Sequence, residues 1–338
     1  MKLYLLFFPL LLALAASCDN ISSPVASGRP YEVLVVIDDQ LWEQPAGRAL
    51  FNVLDTDVPG LPQPERSFRI SQTDPKRFNQ VLNIFRNIII VDIDATQYTL
   101  TRMKFARNVY SHPQIVLTFH SPSEEDFAAY VKKNAQSIID FLVKTEMNRL
   151  ILDLEKKHSE VVEKLADEIF DCRFWAPAEI KSYKKGESFF WASSNTASGL
   201  VNICMYAYDY EGPQTFNKQY VLAKRDSVMK VNIPGTEPGM YMATDTLCTT
   251  VKHATVRGAY AMVTRGLWYM ENDAMGGPFV SHSRVDTVNN RVVVAEGFVY
   301  APEKMKRGLI RRLEGSLYTL ALPGEQKQTI EAQEQIEK

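Results

Sequence analysis

Two uninterrupted runs of branched apolar residues set the terms on which this chain can fold. Val33-Leu34-Val35-Val36-Ile37 forms the first, and Ile88-Ile89-Ile90-Val91, closed by Asp92-Ile93-Asp94, forms the second. Apolar runs without polar alternation predict strands buried on both faces. Between them, residues 41–54 carry Trp42, Ala46, Ala49, Leu50, Val53 and Leu54 at helical spacing. Pro59, Gly60, Pro62 and Pro64 then interrupt the helix. Phe68 and Ile70 predict a short strand. Asp74-Pro75 predicts the start of another helix with the stripe Phe78, Val81, Leu82 and Phe85.

Residues 104–110 and 114–120 predict two further strands, separated by His112-Pro113. The longest helical pattern follows, with Ser123 and Asp126 close to a capping box. Its stripes, Phe127 to Leu142 and Met147 to Ile169, differ in register, which predicts a bent helix or two helices meeting near Thr145. Strand patterns dominate afterwards: short at 173–175, then 187–193, 200–210, 246–253 and 257–269. Residues 279–288 and 291–300 predict a hairpin closed by Asn289-Asn290. Helices are predicted at 217–231 and 302–320.

The fold class expected is α+β, with mixed or antiparallel sheets packed with helices. Phe85 before residues 87–94 and Trp191 before 201–210 suggest two related halves. The organisation expected is a signal at 1–17, a modified Cys and tether at 18–30, an α/β half at 31–170, a strand-rich half at 171–322 and a polar tail at 323–338.

The N-terminus addresses location. Lys2 is followed by an apolar run to Leu14 and by Leu14-Ala15-Ala16-Ser17-Cys18. A basic start, a short apolar run and small residues describe a secretory signal. The Cys after Ala-Ala-Ser resembles the lipobox of bacterial lipoproteins, in which the thiol is diacylated and the signal is cut before it. Acyl chains worth ~0.8 kcal/mol per buried CH₂ make a stable anchor. The expected partner is therefore a membrane, reached through lipid on Cys18. The cell envelope is the expected compartment, with the outer membrane as host, facing the periplasm or the cell surface.

Charge excludes other partners. The whole chain has 38 basic and 40 acidic residues, so its formal charge is −2. Interspersed charges of both signs leave no footprint for nucleic acid. Cys172, Cys204 and Cys248 form no CxxC pair, and they allow at most one disulfide. None of His112, His120, His158, His253 and His282 has metal-ligand spacing, and no cofactor motif is present. Ser-x-x-Lys occurs at Ser182–Lys185 and Ser227–Lys230, without the companion motifs of penicillin-binding enzymes.

Two places invite a ligand. Asp38-Asp39 and the pair Asp92, Asp94 end buried strands. If those strands are parallel neighbours, the carboxylates gather at one sheet edge. Met275-Gly276-Gly277-Pro278-Phe279, with Trp268 and Tyr269 upstream, reads as a glycine-permitted loop framing an aromatic shelf.

Seven stretches together resemble an uncharacterised lipoprotein family of Bacteroidota. They are Pro30-Tyr31-Glu32-Val33, Gly60-Leu61-Pro62-Gln63, Arg86-Asn87-Ile88-Ile89, the surroundings of Trp191, Arg225-Asp226-Ser227, Arg265-Gly266-Leu267-Trp268 and Met275-Gly276-Gly277-Pro278-Phe279. The resemblance covers most of the chain after the signal. It implies location and kinship and transfers no catalytic residue. The expectation is a non-catalytic cell-envelope lipoprotein that binds an envelope protein or glycan. The alternatives are a lipid-anchored hydrolase of envelope or imported polymers, and a structural spacer.

Overall fold

A computed structural model describes residues 23–325. The signal, Cys18 and most of the polar tail lie outside the described residues. The chain forms two compact units. Among the described residues, one takes those up to Gln44 together with Ser71–Phe127, and the other takes Pro45–Ile70 together with those from Ala128 onward.

The first apolar run becomes β1 (Glu32–Val36), and Asp38 then caps α1 (Asp39–Glu43) by accepting from the Gln40 and Leu41 amides. The helix expected over 41–54 is broken at Gln44, because Pro45 starts α2 (Pro45–Leu54) as a separate helix. Next comes β2 (Arg69–Thr73). The helix expected after Asp74-Pro75 is a single 3₁₀ turn at Pro75–Arg77. Phe78, Leu82 and Phe85 still pack on the sheet, while Val81 is exposed. The second apolar run is β3 (Asn87–Ile93), followed by β4 (Arg102–Arg107) and β5 (Ile115–Ser121).

These five strands form a mixed sheet in the order β2-β1-β3-β5-β4. Strands β1, β3 and β5 are parallel neighbours, with Val36 opposite Ile90 and Asp92 opposite His120. Strand β4 runs antiparallel at one edge. Leu34, Val36, Ile88 and Val116 make the buried cluster that the unbroken apolar runs demand.

Three helices replace the expected bent helix or pair of helices: α3 (Glu124–Lys133), α4 (Ala135–Lys156) and α5 (Glu160–Phe170). The breaks fall at Asn134 and at Lys157–Ser159, not at Thr145. Thr145 sits inside α4, where its hydroxyl donates to the Phe141 carbonyl and leaves the helix intact. Ser159 caps α5 by accepting from the Val162 amide.

The remaining elements are β6 (Ser182–Gly186), β7 (Phe189–Thr196), β8 (Gly199–Asp209), α6 (Lys218–Asn232), β9 (Met242–Val256), β10 (Ala259–Met270), β11 (Gly276–Asp286), β12 (Arg291–Tyr300) and α7 (Arg307–Leu317). Strand β6 has no apolar pattern, which is why its sequence did not predict it. Residues 173–175 contribute only one bridge, Arg173 to Ala321. The β11–β12 loop holds four residues rather than two, and Asn290 takes a positive φ of 49°.

The seven strands form an antiparallel sheet in the order β6-β7-β8-β12-β11-β10-β9. The two halves are therefore present and the fold is α+β. Their sheets differ in strand order and in direction, so the expected kinship between them is not visible in topology.

Both faces of the seven-stranded sheet are buried. Val293 and Ala295 of β12 face a core built with Leu165 and Phe170 of α5 and Leu313 and Leu317 of α7. Val292, Val294 and Phe298 face a second core with Tyr206, Trp268, Phe279 and Met229 of α6. Glu65 fixes α7 by accepting from the backbone amides of Lys306 at 2.8 Å and Arg307 at 2.9 Å. Negative charge at a helix N-terminus is favourable for the amides and the dipole alike. Among the described residues, no helix is long and apolar enough to cross a membrane.

One buried ion pair sits on the second-core side of the sheet. Glu296 of β12 and Arg225 of α6 are both buried, and Arg225 Nη2 donates to Glu296 Oε1 at 2.7 Å. Nε adds bonds of 3.2 and 2.9 Å to the same carboxylate, and Nη1 donates to Thr244 at 2.7 Å. The Phe279 ring lies 4.0 Å from the guanidinium. Breaking a buried pair strands a charge and costs about 3–5 kcal/mol, whereas replacing both partners by apolar groups is close to neutral. Urea unfolding should therefore show Glu296→Gln destabilised by about that amount. Arg225→Met combined with Glu296→Leu should be closer to wild type than either single change. A Glu296→Gln loss below ~1 kcal/mol would remove the pair from its anchoring role.

Candidate functional site

The first unit brings a set of polar side chains to the carboxyl ends of its parallel strands. This is where open sheets with parallel strands present ligand groups. Asp92 leaves β3 opposite His120 of β5, and His120 is in turn opposite Arg102 of β4. His120 Nδ1 lies 3.3 Å from Asp92 Oδ2. The Tyr98 hydroxyl donates to the same oxygen at 2.5 Å. The Tyr98 and His120 rings meet at a centroid distance of 4.7 Å. The imidazole is thus held from two directions and remains partly open to solvent. Behind it, the Thr101 and Ser121 hydroxyls share a hydrogen bond of 2.7 Å.

The other acids at this edge are taken up by local hydrogen bonds and an ion pair. Asp94 accepts from the Thr96 hydroxyl and amide and from the Gln97 side chain, and these bonds hold its carboxyl below the usual range. Asp39 accepts from Gln72 and pairs with Arg77 at 2.7 Å, and its carboxyl is lowered by those two partners in that order. Strands β1 and β3 are parallel neighbours, so the strand ends that carry Asp38-Asp39 and Asp92 with Asp94 lie side by side in the sheet. Of the four, Asp92 is the one joined to an imidazole and a phenol. No group of three or more His, Cys, Asp or Glu among the described residues is arranged to hold a metal.

The second expected place is different from its prediction. Met275-Gly276-Gly277-Pro278-Phe279 is no loop from Gly276 onward, because it forms the start of β11. Gly277 pairs with Trp268, and Gly276 pairs with Tyr269. A Cβ on Gly277 would collide with the Val299 carbonyl, so this glycine serves close strand approach rather than a special turn. Trp268 and Phe279 are 3% and 1% exposed, which removes them from any open shelf. The indole of Trp268 donates to the Val299 carbonyl at 3.3 Å. Met275 packs against the same core, and Tyr269 alone presents a substantial open face.

Ser281-His282-Ser283 is buried throughout. His282 has neither ring nitrogen hydrogen-bonded, and its ring meets Tyr318 edge-on at 4.7 Å. Burial, then the charges of Arg265 and Arg284, push the imidazole down to about 3. It is a neutral core residue at ordinary pH. Cys172 and Cys204 are buried thiols and Cys248 is exposed, and none of the three is bridged. Burial raises the Cys172 thiol to about 12.

Sequence reasoning placed Asp92 and Asp94, missed Tyr98 and noted His120 only as a histidine without metal-ligand spacing. The available signal was register. A His ending one predicted strand and an Asp ending its neighbour become partners once the strands are parallel.

Two family models match the chain. One, described as Domain of unknown function (DUF8532), matches residues 26–155, and the other, Domain of unknown function (DUF4837), matches residues 159–319. They meet at the break between α4 and α5. No curated protein matches the chain. A protein from Bacteroides thetaiotaomicron with a crystal structure at 1.50 Å is 14% identical over 47% of this chain, with a TM-score of 0.20. The match also spans 47% of that protein's length, less than half of it, and so loose a superposition does not bear on the fold.

The Asp92–Tyr98 bond makes a direct prediction. Hydrogen bonding to Asp92, followed by burial and the Asp92 charge, raises the Tyr98 phenol to about 12. A raised phenol favours the folded state below the ordinary tyrosine value near 10, and that contribution is lost as pH climbs toward 12. Spectroscopic titration of Asp92→Asn should return the Tyr98 phenol toward about 10. An unchanged titration would mean that Asp92 does not hold the phenol.

Proposed function

We propose that this chain is a lipid-anchored cell-envelope protein of Bacteroidota that binds an envelope glycan at the Asp92–His120 edge and catalyses no reaction. The observation that carries the anchoring is the run Leu14-Ala15-Ala16-Ser17-Cys18 after a short apolar segment. A diacylated Cys18 holds the body at a membrane by a tether of small polar residues. The outer membrane is the proposed host.

The chemistry at the edge supports a hydroxyl-rich ligand. Asp92 offers acceptor oxygens, His120 offers a ring nitrogen, and Tyr98 and His120 offer ring faces. Planar polar groups beside a ring suit vicinal hydroxyls, whose polar edges take hydrogen bonds while their C–H faces cover the ring. A protein partner is the second reading, favoured by exposed Phe105 and Leu100 on and beside the edge strand β4.

Metabolic labelling with a fatty acid should mark the wild-type chain and leave Cys18→Ala unlabelled and released from membranes. A labelled, membrane-bound Cys18→Ala chain would overturn the anchor. Retention of the full chain on immobilised envelope polysaccharide tests the ligand separately. His120→Ala should reduce retention at least ~10-fold, a change of about 1.4 kcal/mol. Equal retention of the two would remove this edge from glycan binding.

A further inference from the structure

The Asp92–His120 edge continues onto one face of the five-stranded sheet. Register sets Asp92 of β3, His120 of β5 and Arg102 of β4 in a row across three strands. Side chains two residues apart on a strand share a face. Ile90, Thr118 and Lys104 therefore form the next row on the same side. Ile90, Asp92, Thr118 and His120 are partly buried, and Arg102 and Lys104 are exposed.

The surroundings of these two rows are closed. In the row below, Ile88 and Val116 belong to the cluster on which Phe78, Leu82 and Phe85 pack. On the opposite face, Phe119 meets Phe127 of α3 at 5.6 Å. The apolar cover thus stops short of the rows that carry the polar groups.

Charge is divided unevenly along the rows. Asp92 Oδ2 accepts from Tyr98 at 2.5 Å and lies 3.3 Å from His120 Nδ1. The nearby acids are engaged locally: Asp39 by Gln72 and Arg77, Asp94 by Thr96 and Gln97, and Asp38 by the Gln40 and Leu41 amides. Among the described residues, no carboxylate pairs with Arg102 or Lys104. Their Cα atoms stand about 7 Å apart along one strand, so their long side chains can close on a single anion. Two strand spacings put β4 about 10 Å from β3. An anion on Arg102 is thus about a Debye length from Asp92 at physiological salt, while it touches the cations directly.

Exposed cations need no partner for stability, so their placement in register with the ring pair bears on what docks there. A planar guanidinium matches the two oxygens of a carboxylate. The second oxygen of Asp92 and the far side of the His120 ring suit hydroxyls. Ile90 and the Tyr98 and His120 rings, 4.7 Å apart, offer apolar contact to C–H groups. One ligand class carries all three features together: a sugar bearing a carboxylate.

We propose that the ligand of this edge is an acidic glycan, whose uronate carboxylate docks between Arg102 and Lys104 while its hydroxyls meet Asp92 and His120. This rests on the glycan reading of the edge and adds the class of sugar.

Retention of the full chain on immobilised envelope polysaccharide, before and after its carboxyl groups are reduced to alcohols, tests the class. Wild type should be held at least ~10-fold more strongly by the native polymer, and added salt should narrow the difference. Arg102→Gln should lose that preference and bind both polymers as wild type binds the reduced one. Arg102→Lys should recover part of it. Lys252→Gln, an exposed change on β9, should match wild type on both. Equal wild-type retention on the two polymers would overturn the acidic class and leave the glycan reading standing, provided His120→Ala still lowers both. Retention on neither polymer would sink both readings. A loss with Lys252→Gln as large as with Arg102→Gln would reduce the effect to general charge and overturn the proposed site.

Discussion

Glu296 places a carboxylate in the middle of a sheet that is buried on both sides, and the surroundings of that sheet follow from the need to neutralise it. Its partner Arg225 must come from a covering element, which fixes α6 on one face at one rotation. Thr244 and the Phe279 ring then have to lie where they complete the guanidinium's contacts. An apolar core can slide by a fraction of a residue with little loss, but a fork of three charged hydrogen bonds cannot. Packing on this face is therefore specified by direction as well as by volume. The opposite face, covered by α5 and α7, relies on close-packed apolar side chains and on the capping of α7 by Glu65.

This arrangement explains what several short motifs are for. Arg225-Asp226-Ser227 stands out in the sequence and is the helical half of the ion pair. Asp226 is held by the Thr244 hydroxyl at 2.5 Å, within the same network. Gly266 lies where the β9–β10 register shifts, and a side chain there would strike Thr249. Gly60 takes a positive φ of 79° and lets the backbone approach Arg265. Residues that catch the eye as a potential binding signature are here tolerances of backbone contact. The Trp268–Phe279 region shows the same: its aromatic and glycine content is that of a tightly packed strand pair.

The sequence was informative wherever one physical effect dominated. Unbroken apolar runs revealed β1 and β3, and periodicity found α6 and the β11–β12 pair. It was misleading where local and tertiary effects competed. Asp74-Pro75 carries every signal of a helix start, yet Phe78, Leu82 and Phe85 reach the core from turns. Stripe register suggested a break at Thr145, whereas Asn134 and the Lys157–Ser159 turn end the helices. Strand β6, polar and exposed, is held by pairing with β7 and by Lys184 and Lys185, which reach the Asn232 carbonyl and Glu168. At the candidate site, Asp92 was legible as a strand end. Its union with Tyr98 and His120 depended on strand direction, which no local pattern encodes.

The hydrogen bonds from Lys306 and Arg307 to Glu65 span more than two hundred residues of chain. Residues 45–70 are thus committed to a unit whose last helix is made long after they emerge during synthesis. Glu65 must wait, uncovered, while every strand after β1 is translated. Closure of so long a loop comes late and slowly compared with local pairing. The cut suggested by a linear reading, after α4, would sever α7 from its counter-charge and yield two fragments that are each incomplete. Any dissection of this molecule has to carry the 45–70 segment along with the C-terminal half, either by permuting the chain or by co-expressing the piece.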